Sequence, residues 1–193
     1  AAAYKHVDIV EDNQSVGVKN NIVGLANILN NCSYNNLETF VFISSDKAVN
    51  PSNIMGMTKR VGEVMVNSMN KIHKKKNFIS VRFGNVIGSS GSLFEIFKNQ
   101  IDNRIPLTVT HKDATRYFMT IYDAINLVIF SPQIKTKAKK IVLNMGSPIK
   151  ILDIAKKLID INFKKNKIKY IGLRPGEKIH EEIFHPKHRI ETE

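Results

Sequence analysis

Short apolar runs alternate with amphipathic stretches along this chain, and that alternation most restricts its fold. Residues 39–44 (TFVFIS) form an almost unbroken apolar run, as in a strand buried on both faces. Residues 78–83 (FISVRF), 140–145 and 167–171 also read as strands. Between them, Val18, Ile22, Leu25, Ala26 and Leu29 recur at helical spacing and make one stripe. Val61, Val64, Met65, Met69 and Ile72 make a second, and residues 93–101, 121–130 and 151–161 read as further helices. Strands alternating with helices predict an α/β fold with a largely parallel sheet. Ligands of such sheets sit beyond the C-terminal ends of the strands. Chemistry is therefore expected just after Ser44, just after Phe83, and in the later turns.

Composition narrows the function. A length of 193 residues predicts one domain, or one with an appendage. The 42% apolar content supports a core, and 10 Gly with 6 Pro are too few for a linker or low-complexity chain. The net charge is +12, but the lysine clusters at 74–76, 135–140 and 164–169 fall between apolar segments. No aromatic residues interleave with them as in a single-strand stacking platform, so no nucleic-acid partner is expected. No apolar run approaches a bilayer span of about 18 residues, so no membrane contact is expected from this segment. Cys32 is the one cysteine, which excludes a disulfide framework and a multi-cysteine zinc site. The histidines lack metal-ligand spacing, no metal is expected, and His180, His185 and His188 read as surface residues. A reducing, cytoplasmic setting fits. The opening AAAYKH is no signal peptide, and the chain is expected to begin partway through a longer protein.

Three segments could carry chemistry. Ser44-Ser45-Asp46-Lys47 places hydroxyl, carboxylate and amine at a strand's C-terminal end, where they could form an acid/base set or a plain polar turn. Met55 and Lys59 are spaced to share one helix face, though a core methionine and a solvated lysine would look the same. Gly84 to Ser92 (GNVIGSSGS) supplies three glycines, three serines and an asparagine before a helix. That suits close approach to a phosphate or sugar, but it is neither G-x-G-x-x-G nor a P-loop. Arg116 and Arg174 lie in turn-like contexts, where guanidinium forks could meet phosphate oxygens.

Together these segments resemble the CapD-like polysaccharide biosynthesis proteins, nucleotide-sugar 4,6-dehydratases of the extended short-chain dehydrogenase/reductase superfamily. The resemblance runs through SSDKAVNPSNIMGMTKR (44–60), VRFGNVIGSSGS (81–92), LTVTH (107–111), TRYFMTIYDA (115–124), LNMGSPIKILDIA (143–155) and GLRPGEKIHEEI (172–183). It spans nearly the whole chain. It implies a Rossmann-like doubly wound parallel sheet, partial because the N-terminal Gly-rich βαβ unit is not in this sequence, with a small C-terminal substrate-binding α/β subdomain. Residues 1–105 would complete the NAD(P)-binding domain, and 106–193 would mainly bind the nucleotide-sugar, with returns to the Rossmann core.

The resemblance also implies roles. Ser45, Asp46, Lys47, Met55 and Lys59 would be catalytic, with Lys47 the C5 base, Asp46 the acid and Met55 standing at the superfamily's tyrosine position. A thioether exchanges no proton, so acid/base work would rest on Asp46 and Lys47. Lys47 would then need a depressed pKa. Ala1, Ala2, Ala3, Asn21, Ser44, Lys59 and Val86 would adjoin NAD or NADP, tightly bound and recycled. Lys5, Asn85, Ser89, Ser90, Gly91, Ser92, Val109, Arg116, Arg174 and Glu177 would bind the nucleotide-sugar, a UDP-hexosamine by resemblance, with both arginines on its diphosphate. A homo-oligomer is expected. A 4-epimerase of the same superfamily, or an inactive fragment lacking the cofactor loop, are the alternatives.

Overall fold

The computed structural model describes residues 2–34, 36–134, 140–162 and 164–185. The predicted α/β architecture is present. At its centre lies a parallel sheet of β1 (Thr39–Ile43), β2 (Asn77–Arg82) and β7 (Lys140–Val142), in the order β1-β2-β7. Val41 is level with Ile79, and Val81 with Ile141. β2 is buried along its last five residues, because both faces of the sheet are covered.

The helical stripe at 18–29 lies on one face. It runs through α2 (Gln14–Val18), a π-helical turn (Lys19–Val23) and α3 (Gly24–Tyr34). Beside it runs α4 (Ile54–Ile72), capped by the Asn53 side chain accepting from Gly56 N–H at 2.7 Å. Leu25, Leu29, Val66, Phe42 and Phe78 close this core. Gly62 lets α4 approach the sheet, since a Cβ there would lie 2.5 Å from the Phe42 ring. On the other face, α6 (Ile121–Phe130) sets Leu127 against Ile79 and Val81.

A second core joins α5 (Leu93–Asp102), β4 (Leu107–Val109) and α7 (Ile151–Ile161). Phe97, Ile101, Leu107, Val109, Ala114 and Ala155 are its most deeply buried members, each larger side chain contributing about 1.5–3 kcal/mol. Phe97 and Ile101 precede residue 106, so this core draws on both sides of the predicted division. The run at 167–171 forms β9 (Ile168–Tyr170), which pairs parallel with β4 rather than with the central sheet. Four short strands form two further pairs. β3 (Asn85–Val86) pairs with β6 (Phe118–Met119), and β5 (Thr115–Arg116) with β8 (Ile149–Lys150).

Candidate active site

Backbone pairing continues past the end of β1 and fixes the turn that follows. Ser44 N–H donates to Val81 O at 2.7 Å, and Asp46 N–H to Phe83 O at 3.0 Å. The chain then tightens into a 3₁₀ turn, Asp46–Ala48, with Ser45 as its N-cap. Asp46 Oδ1 accepts from Ser45 Oγ at 2.8 Å, from Lys47 N–H at 2.8 Å and from Lys47 Nζ at 3.1 Å. Its other oxygen, Oδ2, is buried and has no hydrogen-bond partner among the described residues. Glu181 Oε1 approaches Lys47 Nζ from the far side at 3.6 Å. Burial pulls Lys47 down more than any other single influence, and the Arg116 charge adds slightly. The Asp46 and Glu181 carboxylates together outweigh both and hold it above the ordinary lysine value. The expected depression of Lys47 is thus reversed, because the turn supplies carboxylate partners as well as burial.

The first turns of α4 bring Met55 and Lys59 onto the same cleft as Ser45 and Lys47. Lys59 Nζ donates to Ile43 O at 2.8 Å and lies 5.1 Å from the Phe42 ring centre. Burial lowers its pKa to about 8. Asn21 holds this arrangement from behind. Its amide donates to Tyr4 O at 3.0 Å and Thr58 Oγ1 at 3.1 Å, and its Oδ1 accepts from Tyr4 N–H at 2.9 Å. The π turn points this side chain inward, where it is 6% exposed; such turns concentrate at functional sites. Beneath the cleft, Ser44 Oγ donates to Glu63 Oε1 at 2.8 Å. Arg82 grips the same carboxylate through Nε at 2.9 Å and an NH2 nitrogen at 2.7 Å.

The Gly-rich loop makes the opposite wall. Gly88 and Gly91 have φ of +77° and +67°, a region that glycine enters freely. A Cβ at Gly91 would stand 2.6 Å from the His6 ring. Lys5 Nζ donates to Ser90 O at 2.6 Å and reaches Ser89 Oγ at 3.5 Å. Ser92 is the N-cap of α5, and its hydroxyl is buried without a partner among the described residues. The cleft measures about 340 Å³ and includes Lys5, Asn85, Val86, Ser89, Gly91 and Ser92 along this wall.

Other expected site residues lie elsewhere. Val109 is fully buried in the second core, and its carbonyl accepts from Ile171 N–H. Its side chain offers no surface to a ligand. Arg116 spends its guanidinium on Thr115 O, Ile179 O and Glu177 Oε1, the last at 2.7 Å. Arg174 is exposed and pairs with Asp8 at 2.8 Å, while its N–H donates to Glu177 Oε2. Glu177 therefore links the two arginines, but neither lines the cleft. Ala2 and Ala3 are exposed, with Ala2 O accepting from Asn20. Ala1 and His188 lie outside the described residues.

Glu181, Glu63 and Arg82 escaped the sequence reading. For Glu181 a signal existed. In IHEEI it alternates with Ile179 and Ile183, which marks it as the inward member of the Glu181-Glu182 pair. Glu63 sits inside an amphipathic helix, where an acidic residue ordinarily faces solvent, and nothing local marks it. Among the described residues, no group of three or more His, Cys, Asp or Glu could hold a metal ion. No described helix is long and apolar enough to cross a membrane.

A parallel sheet with a cleft at its C-terminal edge, floored by a Ser-Asp-Lys turn and a helical lysine, defines a Rossmann-like protein of the dehydrogenase/reductase type. The chain belongs to the polysaccharide biosynthesis protein family, whose profile matches residues 1–193. It is 47% identical to the capsular polysaccharide biosynthesis protein CapD of Staphylococcus aureus, over 95% of this chain and 31% of that protein. A UDP-glucose 4-epimerase of Rickettsia canadensis is 34% identical, over 95% of this chain and 54% of its own length. The X-ray structure of Pen from Bacillus thuringiensis superposes with a TM-score of 0.88 at 37% identity, covering 96% of this chain and 59% of that one. The chain thus spans about a third to a half of the curated relatives named here.

Proposed function

We propose that this chain carries the acid/base half of a nucleotide-sugar 4,6-dehydratase acting on a UDP-N-acetylglucosamine-like substrate in surface-polysaccharide synthesis. The observation that carries the reading is the Asp46–Lys47 pair, 3.1 Å apart, beside a cleft lined by Met55, which by resemblance stands where the superfamily has a proton-exchanging phenol.

The cleft's chemistry suits a nicotinamide cofactor. Lys59 bears three donors, and its one hydrogen bond among the described residues goes to Ile43 O, which leaves donors for ribose hydroxyls. Ser44 and Val86 adjoin the same space, and Asn21 fixes the helix that presents Lys59. Bound NAD(P)⁺ supplies reversible hydride transfer with the sugar.

The protein's own residues handle protons. In the resting site Lys47 carries its proton and therefore cannot take another. Transfer of that proton to the Asp46 carboxyl, across the 3.1 Å contact, yields a neutral amine and a protonated acid together. Those are the two species that elimination needs, one to take the C5 proton and one to protonate the departing 6-hydroxyl. A sugar filling the cleft excludes water, and desolvation favours the neutral pair over the ion pair. Ser45 Oγ, 2.8 Å from Asp46 Oδ1, holds the carboxyl in place; the C4 hydroxyl proton released with hydride transfer would pass to solvent, because Asp46 then already carries the proton from Lys47.

The test uses the full-length protein with UDP-N-acetylglucosamine and NMR detection of a 4-keto-6-deoxy product. Formation that disappears in Lys47→Ala supports the reading; absence from folded, cofactor-loaded protein across a panel of nucleotide-sugars overturns it. Similarity to a UDP-glucose 4-epimerase favours 4-epimerisation as the second reading. Epimerisation needs no C5 base, so C4 interconversion that survives Lys47→Ala would select it.

A further inference from the structure

Glu181 is 6% exposed, yet one of its oxygens, Oε2, is buried without a partner among the described residues. A buried carboxylate is costly unless it is paired, and among the described residues its one ionic contact is Lys47. Its neighbours are tied down on both sides. Ile179 O accepts from Thr115 N–H at 2.9 Å, and the His180 ring bonds Thr115 Oγ1 at 2.9 Å. Glu182 accepts from Asn50 at 2.8 Å, and Ile183 O from Arg82 at 2.9 Å. The segment therefore has little freedom to withdraw Glu181 from the lysine. The charged groups facing Lys47 are Asp46 from its own turn, Glu181 from this segment and Arg116 from β5.

We infer that Glu181 is a positioning residue, one that holds the Lys47 ammonium against Asp46 and thereby sets the pH above which the pair loses its shared proton. With one ammonium between two carboxylates, Asp46 Oδ1 stays in hydrogen-bonding range of Nζ and is the nearer proton acceptor, at 3.1 Å against 3.6 Å. Only the kinetic part of this inference rests on the dehydratase reading.

The experiment measures the pH dependence of Lys47 acylation by acetic anhydride in the full-length protein, read by peptide mass spectrometry. An opposite charge at this range moves a pKa by about 1–3 units. The half-labelling pH of Lys47 should accordingly fall by about one unit or more in Glu181→Gln, and stay put in Glu182→Gln. If the glutamine variant does not fold, Glu181→Asp is read in the same way, with a smaller fall expected. An unmoved half-labelling pH in the folded variant overturns the inference. Dehydratase activity should be flat through neutral pH, and its alkaline limb should move down with the labelling curve. If labelling shifts while no dehydratase activity exists, the positioning role stands and the reaction assignment fails. If labelling shifts and an existing alkaline limb does not, the positioning role in catalysis fails.

Discussion

Glu63 is where the fold's electrostatics can be tested against the site they support. Its side chain is 1% exposed, and it meets Arg82 through both carboxylate oxygens, at 2.9 and 2.7 Å. Lys140 at 2.8 Å and Arg60 at 3.2 Å reach the same group, but their side chains are 35% and 49% exposed. Burial decides how these contacts divide. Breaking a buried pair by removing one partner costs about 3–5 kcal/mol, because a charge is stranded. An exposed pair contributes about 0–1 kcal/mol. Glu63→Gln should therefore destabilise by about 3–5 kcal/mol at pH 7, and Lys140→Ala or Arg60→Ala by about 1 kcal/mol or less. The pH dependence follows from the same contacts. Burial, the strongest single influence, raises Glu63, but Arg82 and Lys140 together bring it below the usual carboxylate range. A depressed carboxylate stabilises fully above its unfolded value, about 4.3, and the contribution is lost as pH falls through the lower folded value. The gap between wild type and Glu63→Gln should thus be full at pH 7 and shrink below about pH 4. Urea unfolding of the full-length protein, followed by circular dichroism at several pH values, reads both. A cost under about 1 kcal/mol at pH 7, or a gap that widens on acidification, would refute the reasoning.

Three further outcomes are expected. In Gly56→Ala the new methyl would collide with Lys47 O; the Asp46–Ala48 turn must shift, and on the dehydratase reading turnover should drop by about 10²-fold, the scale for a 1 Å misplacement, as seen by assaying the refolded variant. Gly176 has φ +73°, and a Cβ there would lie 2.6 Å from Asn53 Cβ, so Gly176→Ala should cost about 1–3 kcal/mol in thermal or urea unfolding. Lys59 is depressed to about 8 by burial, so below that pH its protonation works against the fold. Stability of the cofactor-free protein should rise by about 2 kcal/mol as pH climbs from 8 to 10, and unfolding of Lys59→Met should lack that rise.

Periodicity made most of the framework readable. The runs at 39–44 and 78–83 became β1 and β2. The stripe from Val61 to Ile72 lies within α4, but Val61, Val64 and Ile72 are exposed, and the buried face is instead Met55, Thr58, Gly62, Glu63 and Val66. Strand pairing was less legible. Nothing in the residues of β9 names β4 as partner, since an apolar pattern specifies a buried face and not a neighbour. The π turn at Lys19–Val23 has no sequence punctuation, though it carries Asn21, whose amide reaches both Tyr4 and Thr58. At the site, Ser45 to Lys47 and the Met55/Lys59 spacing were visible because they are local. The charge state of Lys47 was not, because Glu181 and Arg116 reach it from distant segments.

The methionine at position 55 gains its meaning from what surrounds it. On the dehydratase reading, two protons leave the sugar, from the C4 hydroxyl and C5, and two return, to the departing hydroxyl and to C5. The site ends with the protons it began with, so it needs carriers that exchange and not a net donor. Asp46 and Lys47 form such a set, and Ser45 Oγ is hydrogen-bonded to the oxygen they share, Asp46 Oδ1. A phenol at position 55 would add a further carrier; a thioether adds none and leaves an apolar wall. Met55 is 3% exposed and lies against the same cleft, where it excludes water and so strengthens the electrostatic interactions of its neighbours. The substitution therefore concentrates proton traffic on the one turn whose carboxylate accepts three hydrogen bonds, and it makes that turn's position the property on which activity depends.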